Sequence, residues 1–264
     1  MNSLYQTTVL AIKRALFANR GEPYRFGNEI LRFLPGTRPV RLKYRHSASA
    51  NTRNDALQVA LVLERVKAGD RAVDIGGHAG QYGILLAARC GRSGRVVSFE
   101  PDPEAADTYR RNVALNPSLR PPELVHKACS DRVGSATFFT QGGNSQSSLA
   151  RSALPKDRAT QAITVETVRL DDWWFREEKA APDFVKIDTE GAEVHILRGM
   201  PRILDSNAVI VCELHPFAWD EFGVSFADLA QVVAKSGRQM CWLDNGEIVR
   251  EPVVYGTVLI RRNA

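Results

Sequence analysis

Residues 72–80 read AVDIGGHAG. The stretch comes close to the dinucleotide fingerprint G-x-G-x-x-G but misses its spacing, since Gly76 and Gly77 touch and Gly80 follows three positions later. An apolar run ending in a glycine turn still reads as the first strand and loop of a βαβ unit. The chain keeps that cadence beyond the turn: RAVDIG, QYGILLAARC, RVVSFE and PEAADTYRRNVALN alternate strand and helix patterns. LVHKACS (124–130) reads as a third strand and SATFFT (135–140) as a short extra one; ITVETVRLDDWW alternates like another, and FVKID (184–188) is a buried strand. AEVHILRGM reads as a helix closed near Gly199 and Pro201, with AVIVCELHP, a helix at FADLAQVVAKSG, RQMCWLD and GTVLIRR completing the pattern. The expected fold class is α/β around a mostly parallel sheet.

The chain has 264 residues, 44% of them hydrophobic, enough for one large domain with an N-terminal attachment. Residues 1–70 read as a mainly helical cap over the sheet's ligand end, and residues 71–264 as the sheet domain. No apolar run approaches the roughly 20 residues of a membrane span. The start lacks the pattern of a secretion signal, so a cytoplasmic location is expected. Cys90, Cys129, Cys212 and Cys241 are far apart, without metal-binding or redox spacing, and read as buried thiols. The net charge of +5 is uneven: residues 1–70 hold twelve Lys or Arg against five Asp or Glu. That segment is either a lure for an anionic partner or a solvated basic face.

Ligands of an open α/β sheet sit outside the carboxyl ends of its strands. Asp74 lies in the first strand, and Gly76, Gly77 and Gly80 make a turn where the missing Cβ lets a ligand approach the backbone. Glu100 ends the second strand, where a carboxylate can accept hydrogen bonds from both ribose hydroxyls of a nucleoside. A pyrophosphate wants a helix N-terminus free of carboxylates, so Asp74 argues against a dinucleotide. S-adenosylmethionine, with its ammonium and sulfonium, gains from that carboxylate. DIGG alone is equally a strand ending in a tight turn; Glu100 is what favours the nucleoside.

DIGGHAGQYG, SFEPDP, VRLDD, VKIDTEGAEVHILRGM and CELHP together resemble the FkbM-type methyltransferase family, class I S-adenosylmethionine enzymes that mostly methylate hydroxyl groups. The resemblance covers about residues 70–220 and is most specific at KIDTEGAE, 186–193. It implies a class I methyltransferase Rossmann-like fold, with a mostly parallel seven-stranded sheet, helices on both faces and an added N-terminal helical segment. It also implies S-adenosyl-L-methionine as cofactor, contacted by Asp74, Gly76, Gly77, His78, Gly80, Tyr82, Glu100, Pro101 and Asp188, with Ser130 beside the adenine. The sequence departs from the family at His78, where Asn is common, and at Trp173 and Trp174, which replace smaller apolar residues and read as a candidate substrate wall.

Methyl transfer from a sulfonium is an in-line displacement that needs an aligned acceptor and a route for its proton. Asp188 ends FVKID, and Glu213 and His215 follow AVIVC, so all three should face one crevice. His215 is the expected base because an imidazole titrates near neutrality, with Asp188 orienting it or the acceptor. Alternatively Asp188, Glu213 and His215 hold a divalent cation such as magnesium, as catechol-type O-methyltransferases do at corresponding strand ends. Plainer roles compete: Asp188 caps the helix beginning near Gly191, Glu190 and Glu193 offset its dipole, and His195 and His126 pack or face solvent. Lys186 alternates with Val185 and Ile187 and needs a carboxylate partner. The polar loop 141–157 offers Asn144, Ser145, Ser147 and Ser148 to a hydroxyl-rich acceptor, or is merely flexible.

The expected activity is O-methylation of a small hydroxylated acceptor: a sugar, a glycolipid or a secondary metabolite. A nucleic-acid methyltransferase is disfavoured, because the end of FVKID lacks an N-P-P-Y or D-P-P-Y motif and no P-C nucleophile occurs. A cofactor-binding scaffold without catalysis is the non-enzymatic rival.

Overall fold

The computed structural model describes residues 3–37, 39–143, 147–151 and 159–262. The chain opens with helix α1 (Ser3–Phe17), a hairpin of β1 (Glu22–Phe26) and β2 (Glu29–Phe33), and helix α2 (Ala50–Arg65). Next come β3 (Arg71–Ile75), α3 (Gln81–Cys90), β4 (Arg95–Phe99), α4 (Pro103–Ala114), β5 (Glu123–Val125), β6 (Ala128–Cys129), β7 (Gly134–Thr140), β8 (Gln161–Val168) and α5 (Leu170–Glu177). β9 (Phe184–Ile187), α6 (Glu193–Arg198), α7 (Pro201–Leu204), β10 (Val209–Leu214), α8 (Phe226–Lys235), β11 (Arg238–Trp242) and β12 (Gly256–Arg262) complete it.

Seven strands form one sheet in the order β5-β4-β3-β9-β10-β12-β11, and only β12 runs against its neighbours. This is the mostly parallel seven-stranded sheet expected. Successive side chains of a strand point to opposite faces, and the core divides accordingly. Ala72, Val96, Phe184 and Val211 pack with α2, α3 and the hairpin, whereas Val73, Val97, Val185 and Ile210 pack with α5 to α8. Both faces are buried, which is why the central strands read as unbroken apolar runs.

Three sequence readings are corrected here. LVHKACS splits at His126 and Lys127: β5 stays in the large sheet, while β6 leaves it to pair with β8. β7 also pairs with β8, so SATFFT belongs to a separate three-stranded sheet. ITVETVRLDDWW is a strand only to Val168; Leu170 begins α5, whose Asp171 accepts hydrogen bonds from the N–H groups of Arg202 (2.6 Å) and Ile203 (3.3 Å) at the start of α7.

The first 70 residues contain a hairpin as well as helices. EPYRF alternates buried and exposed side chains, and Gly27, at φ +57°, turns the chain back with Asn28 so that Phe26 pairs with Glu29. Phe26, Phe33, Val59 and Val62 share one core with Leu85 and Phe184, so this segment covers a sheet face, and it reaches the ligand end through Val40 and Asp55. Among the described residues no helix is long and apolar enough to cross a membrane. The four cysteines are buried and unpaired.

Candidate active site

A cleft of about 300 Å³ opens at the carboxyl ends of β3, β4, β9 and β10. Of the residues expected to hold a cofactor, Gly76, Gly77, His78, Tyr82, Glu100, Pro101 and Asp188 line it, and so does the expected catalytic Glu213. Val40, Asp55, Lys127, Lys186, Glu190 and Tyr255 also line it. Lys186 and Glu190 stand in the KIDTEGAE motif, whereas nothing in the sequence gives Val40, Asp55, Lys127 or Tyr255 a place at the ligand.

Glu100 is 5% exposed and held from two sides: Oε2 accepts from the His78 N–H and Oε1 from the Asp102 N–H, each at 2.7 Å. Asp102 caps α4, accepting from the N–H groups of Glu104 (2.9 Å) and Ala105 (3.2 Å), and Pro103 starts the helix with the φ it needs. SFEPDP thus builds both the carboxylate and the turn that fixes it. Burial raises Glu100 to about 7, outweighing the two N–H groups that favour its charge.

Gly76 and Gly77 line the cleft, and the glycines of the turn also answer to close packing. A Cβ on Gly76 would lie 1.8 Å from the Asp188 carbonyl oxygen, so this glycine lets β3 and the end of β9 close together. Gly77 and Gly80 face the ring of Tyr109, and a Cβ on Gly83 would lie 1.9 Å from its hydroxyl. Three glycines at intervals of three make room for this fully buried tyrosine of α4, whose hydroxyl donates to Ser98 Oγ at 2.7 Å. Gly80 does not line the cleft.

Asp74, expected at the ligand, lies beneath the turn, wholly buried, with Ser98 Oγ 3.4 Å from its Oδ2 and no hydrogen-bond partner for its Oδ1. Burial raises its pKa against the pull of Lys186. Ser130 is also displaced: its hydroxyl turns to Asp131 and its N–H donates to the Val168 carbonyl, so Lys127, Ala128 and Cys129 form that wall instead. Neither tryptophan is a substrate wall. Trp174 is fully buried with its indole N–H on the Ala180 carbonyl, and Trp173 packs edge-on against Phe99. Ser147 lines the cleft; Ser148 donates to the Glu190 carbonyl at 2.8 Å, and Asn144 and Ser145 lie outside the described residues.

The wall opposite Glu100 is crowded with charge. Lys186, 1% exposed, finds its expected carboxylate in Asp188 at 3.0 Å and lies over the Tyr82 ring, 4.4 Å from its centre. Burial works against its ammonium, yet Asp188, Asp74 and Glu213 outweigh that and raise its pKa. Burial likewise works against the Asp188 carboxylate, but Lys186 and His215 hold it below its usual range. Burial, then Glu213 and Asp188, raise Asp55 to about 7.

His215 does not fit the role of base. It is 2% exposed, absent from the cleft lining, and its Nδ1 donates to Glu193 at 2.8 Å. Burial disfavours its charge, but Glu193, Glu190 and Asp188 outweigh that and raise it to about 10, leaving an imidazolium with no free lone pair. Glu193 is itself wholly buried and also accepts from the Trp219 indole N–H at 2.8 Å, so it ties the end of β10 to α6 and does more than offset a helix dipole. His195 pairs with Asp131 at 2.9 Å and His126 contacts the Glu100 carbonyl at 3.0 Å; neither lines the cleft.

The chain matches the methyltransferase FkbM domain over residues 74–240. It belongs to the FkbM methyltransferase family. Similar proteins include the hexuronic acid methyltransferase AglP of Haloferax volcanii, 26% identical over 60% of this chain and 61% of that protein. The 2-O-methyltransferase NoeI of Sinorhizobium fredii is 32% identical over 45% of this chain and 53% of its own length. This FkbM methyltransferase thus spans less than two thirds of either curated relative. A crystal structure of the FkbM methyltransferase of Methylobacillus flagellatus aligns with a TM-score of 0.47 at 14% identity, over 83% of this chain and 56% of that one. The FkbM match begins at Asp74, so Val40 and Asp55 of the cleft lie before it, and Tyr255 lies beyond its end.

Proposed function

We propose that this methyltransferase moves a methyl group from S-adenosylmethionine to a hydroxyl of a sugar or sugar-bearing acceptor. Glu100 carries the reading. Its two oxygens are fixed at the carboxyl end of β4, and each keeps a lone pair for a ribose hydroxyl. The cleft's carboxyls, Asp55, Glu100, Asp188, Glu190 and Glu213, outnumber its lysines, Lys127 and Lys186; a cationic ligand favours their ionised forms, whereas a pyrophosphate is repelled by each one that ionises. The two relatives named above, one for a hexuronic acid and one for 2-O-methylation, support a hydroxylated sugar as the acceptor.

When bound, S-adenosylmethionine supplies the electrophilic methyl of its sulfonium. The chain's part is to hold the ribose at Glu100, exclude water and receive the acceptor's proton. Asp55 suits the last of these roles, because it lines the cleft, its carboxyl makes no hydrogen bond to another described residue, and it titrates at about 7. Asp55→Asn is expected to lower turnover by about 10²-fold or more while S-adenosylhomocysteine binding holds. Label transfer to uronic and neutral glycosides measures the first and calorimetry the second; unchanged turnover removes Asp55 as base.

Calorimetry with S-adenosylhomocysteine also tests the nucleoside reading. A ribose hydroxyl donates to a carboxylate, so affinity should rise with pH until Glu100, at about 7, is ionised. One pH unit below that value about a tenth is ionised, and affinity should fall roughly tenfold. A flat profile removes the ribose assignment.

A further inference from the structure

We infer that Asp188, Glu190, Glu213 and His215 form a site for one divalent first-row cation, with Glu193 as its positioning residue. One ligand atom each from Asp188, Glu213 and His215 lies within 4.8 Å of the others. His215 Nε2 makes no hydrogen bond among the described residues, although its side chain is only 2% exposed. That nitrogen faces Asp188 Oδ1 at 3.9 Å and Glu190 Oε2 at 3.6 Å. Both separations are too long for a hydrogen bond. Two ligands bound at about 2.1 Å to one ion stand roughly 3 to 4.2 Å apart, and both His215 separations fall in that range.

The surrounding side chains already orient the ligand atoms. Glu193 Oε1 accepts from His215 Nδ1 at 2.8 Å and from the Gly191 N–H at 2.9 Å, which holds a proton on Nδ1 and turns Nε2 towards the carboxylates, so that a cation binding there would displace only the Nε2 proton of the imidazolium. A histidine that ligates a metal commonly donates its other ring N–H to a buried carboxylate in this way. Gln58, 1% exposed, donates from Nε2 to Glu213 Oε2 at 2.8 Å, and the Tyr255 hydroxyl donates to Glu213 Oε1. One imidazole with three carboxylates favours manganese or zinc over magnesium. A cation bound there would supply a Lewis acid beside the acceptor hydroxyl. The site shares the cleft with the methyl-transfer reading, but its occupancy can be measured without an acceptor.

The test uses the full chain, stripped with a chelator and titrated with Mn²⁺ alone, followed by calorimetry and electron paramagnetic resonance. One Mn²⁺ per chain is expected. His215→Gln should weaken binding by about 100-fold, and Glu193→Gln by about 10- to 100-fold with an altered hyperfine spectrum, although Glu193 does not touch the ion. A thermal melt reports whether each variant is folded, and a parallel S-adenosylhomocysteine titration tests the nucleoside reading separately; should His215→Gln not fold, Asp188→Asn, at a partly exposed position, replaces it. No uptake of Mn²⁺ or Zn²⁺ by the wild type, or equal uptake by the ligand variant, overturns the proposal. Mn²⁺ binding without S-adenosylhomocysteine binding keeps the cation site and removes the nucleoside reading.

Discussion

Replacing Glu100 by alanine is expected to bring S-adenosylhomocysteine binding close to the limit of detection while the chain stays folded. Two ribose hydroxyls would lose a charged acceptor, and hydrogen bonds to charged groups contribute about 1.5–3 kcal/mol each. That loss alone is about 10²- to 10⁴-fold in affinity. The variant also releases the N–H groups of His78 and Asp102, and His78 sits at φ +43°, where a residue other than glycine needs support. The turn under the nucleoside therefore loosens along with the contact. Fold stability has less to lose, because the carboxyl is buried and its charge disfavoured there, as its rise to about 7 records. Glu100→Gln, which keeps one acceptor and the side chain's length, should fall between wild type and alanine. Calorimetry and a thermal melt read the two effects separately. An alanine variant that binds within about threefold of wild type would falsify the ribose assignment.

The sequence was informative where function depends on strand position. Glu100 was legible because an acidic residue closing the second strand of a βαβ unit has one place to be, and the strand does end there. Asp188 and Glu213 followed from the same rule. His215 satisfied it too, yet failed as a base, because its orientation depends on Glu193, twenty-two residues earlier on another element. Gly76 and Gly77 do reach the cleft, but the glycines also answer to Tyr109 and to the backbone of Asp188 just past β9, neither of which is local to the turn. Asp55 and Tyr255 carry no pattern of their own; the packing of α2 and the loop before β12 bring them to the cleft. The hairpin was detectable in principle, since Gly27 and Asn28 separate two alternating runs.

Gly76→Ala is expected to cost more stability than any other single methyl added at a glycine of the first turn. The new Cβ would stand 1.8 Å from the Asp188 carbonyl oxygen and 2.9 Å from its carbon, both backbone atoms that no rotamer change can move aside. Neither partner is free to retreat. The Gly76 N–H donates to the Phe99 carbonyl at 3.0 Å, and the Asp188 N–H to the Ile75 carbonyl at 3.0 Å, so relief must stretch the ladder between β3 and its neighbours. The residue also sits at φ +86°, where a side chain costs about 1–2 kcal/mol before any clash. Strain and overlap together should exceed about 4 kcal/mol, which in a chain of this size lowers the melting temperature by roughly 10 °C or more. Gly237→Ala separates the two contributions: at φ +66° with nothing within 4 Å, it should cost about 1–2 kcal/mol and a few degrees. If the two variants melted together, the close approach of β3 to the end of β9 would be wrong. The position of Asp188 in the cleft, which depends on that approach, would then be wrong as well.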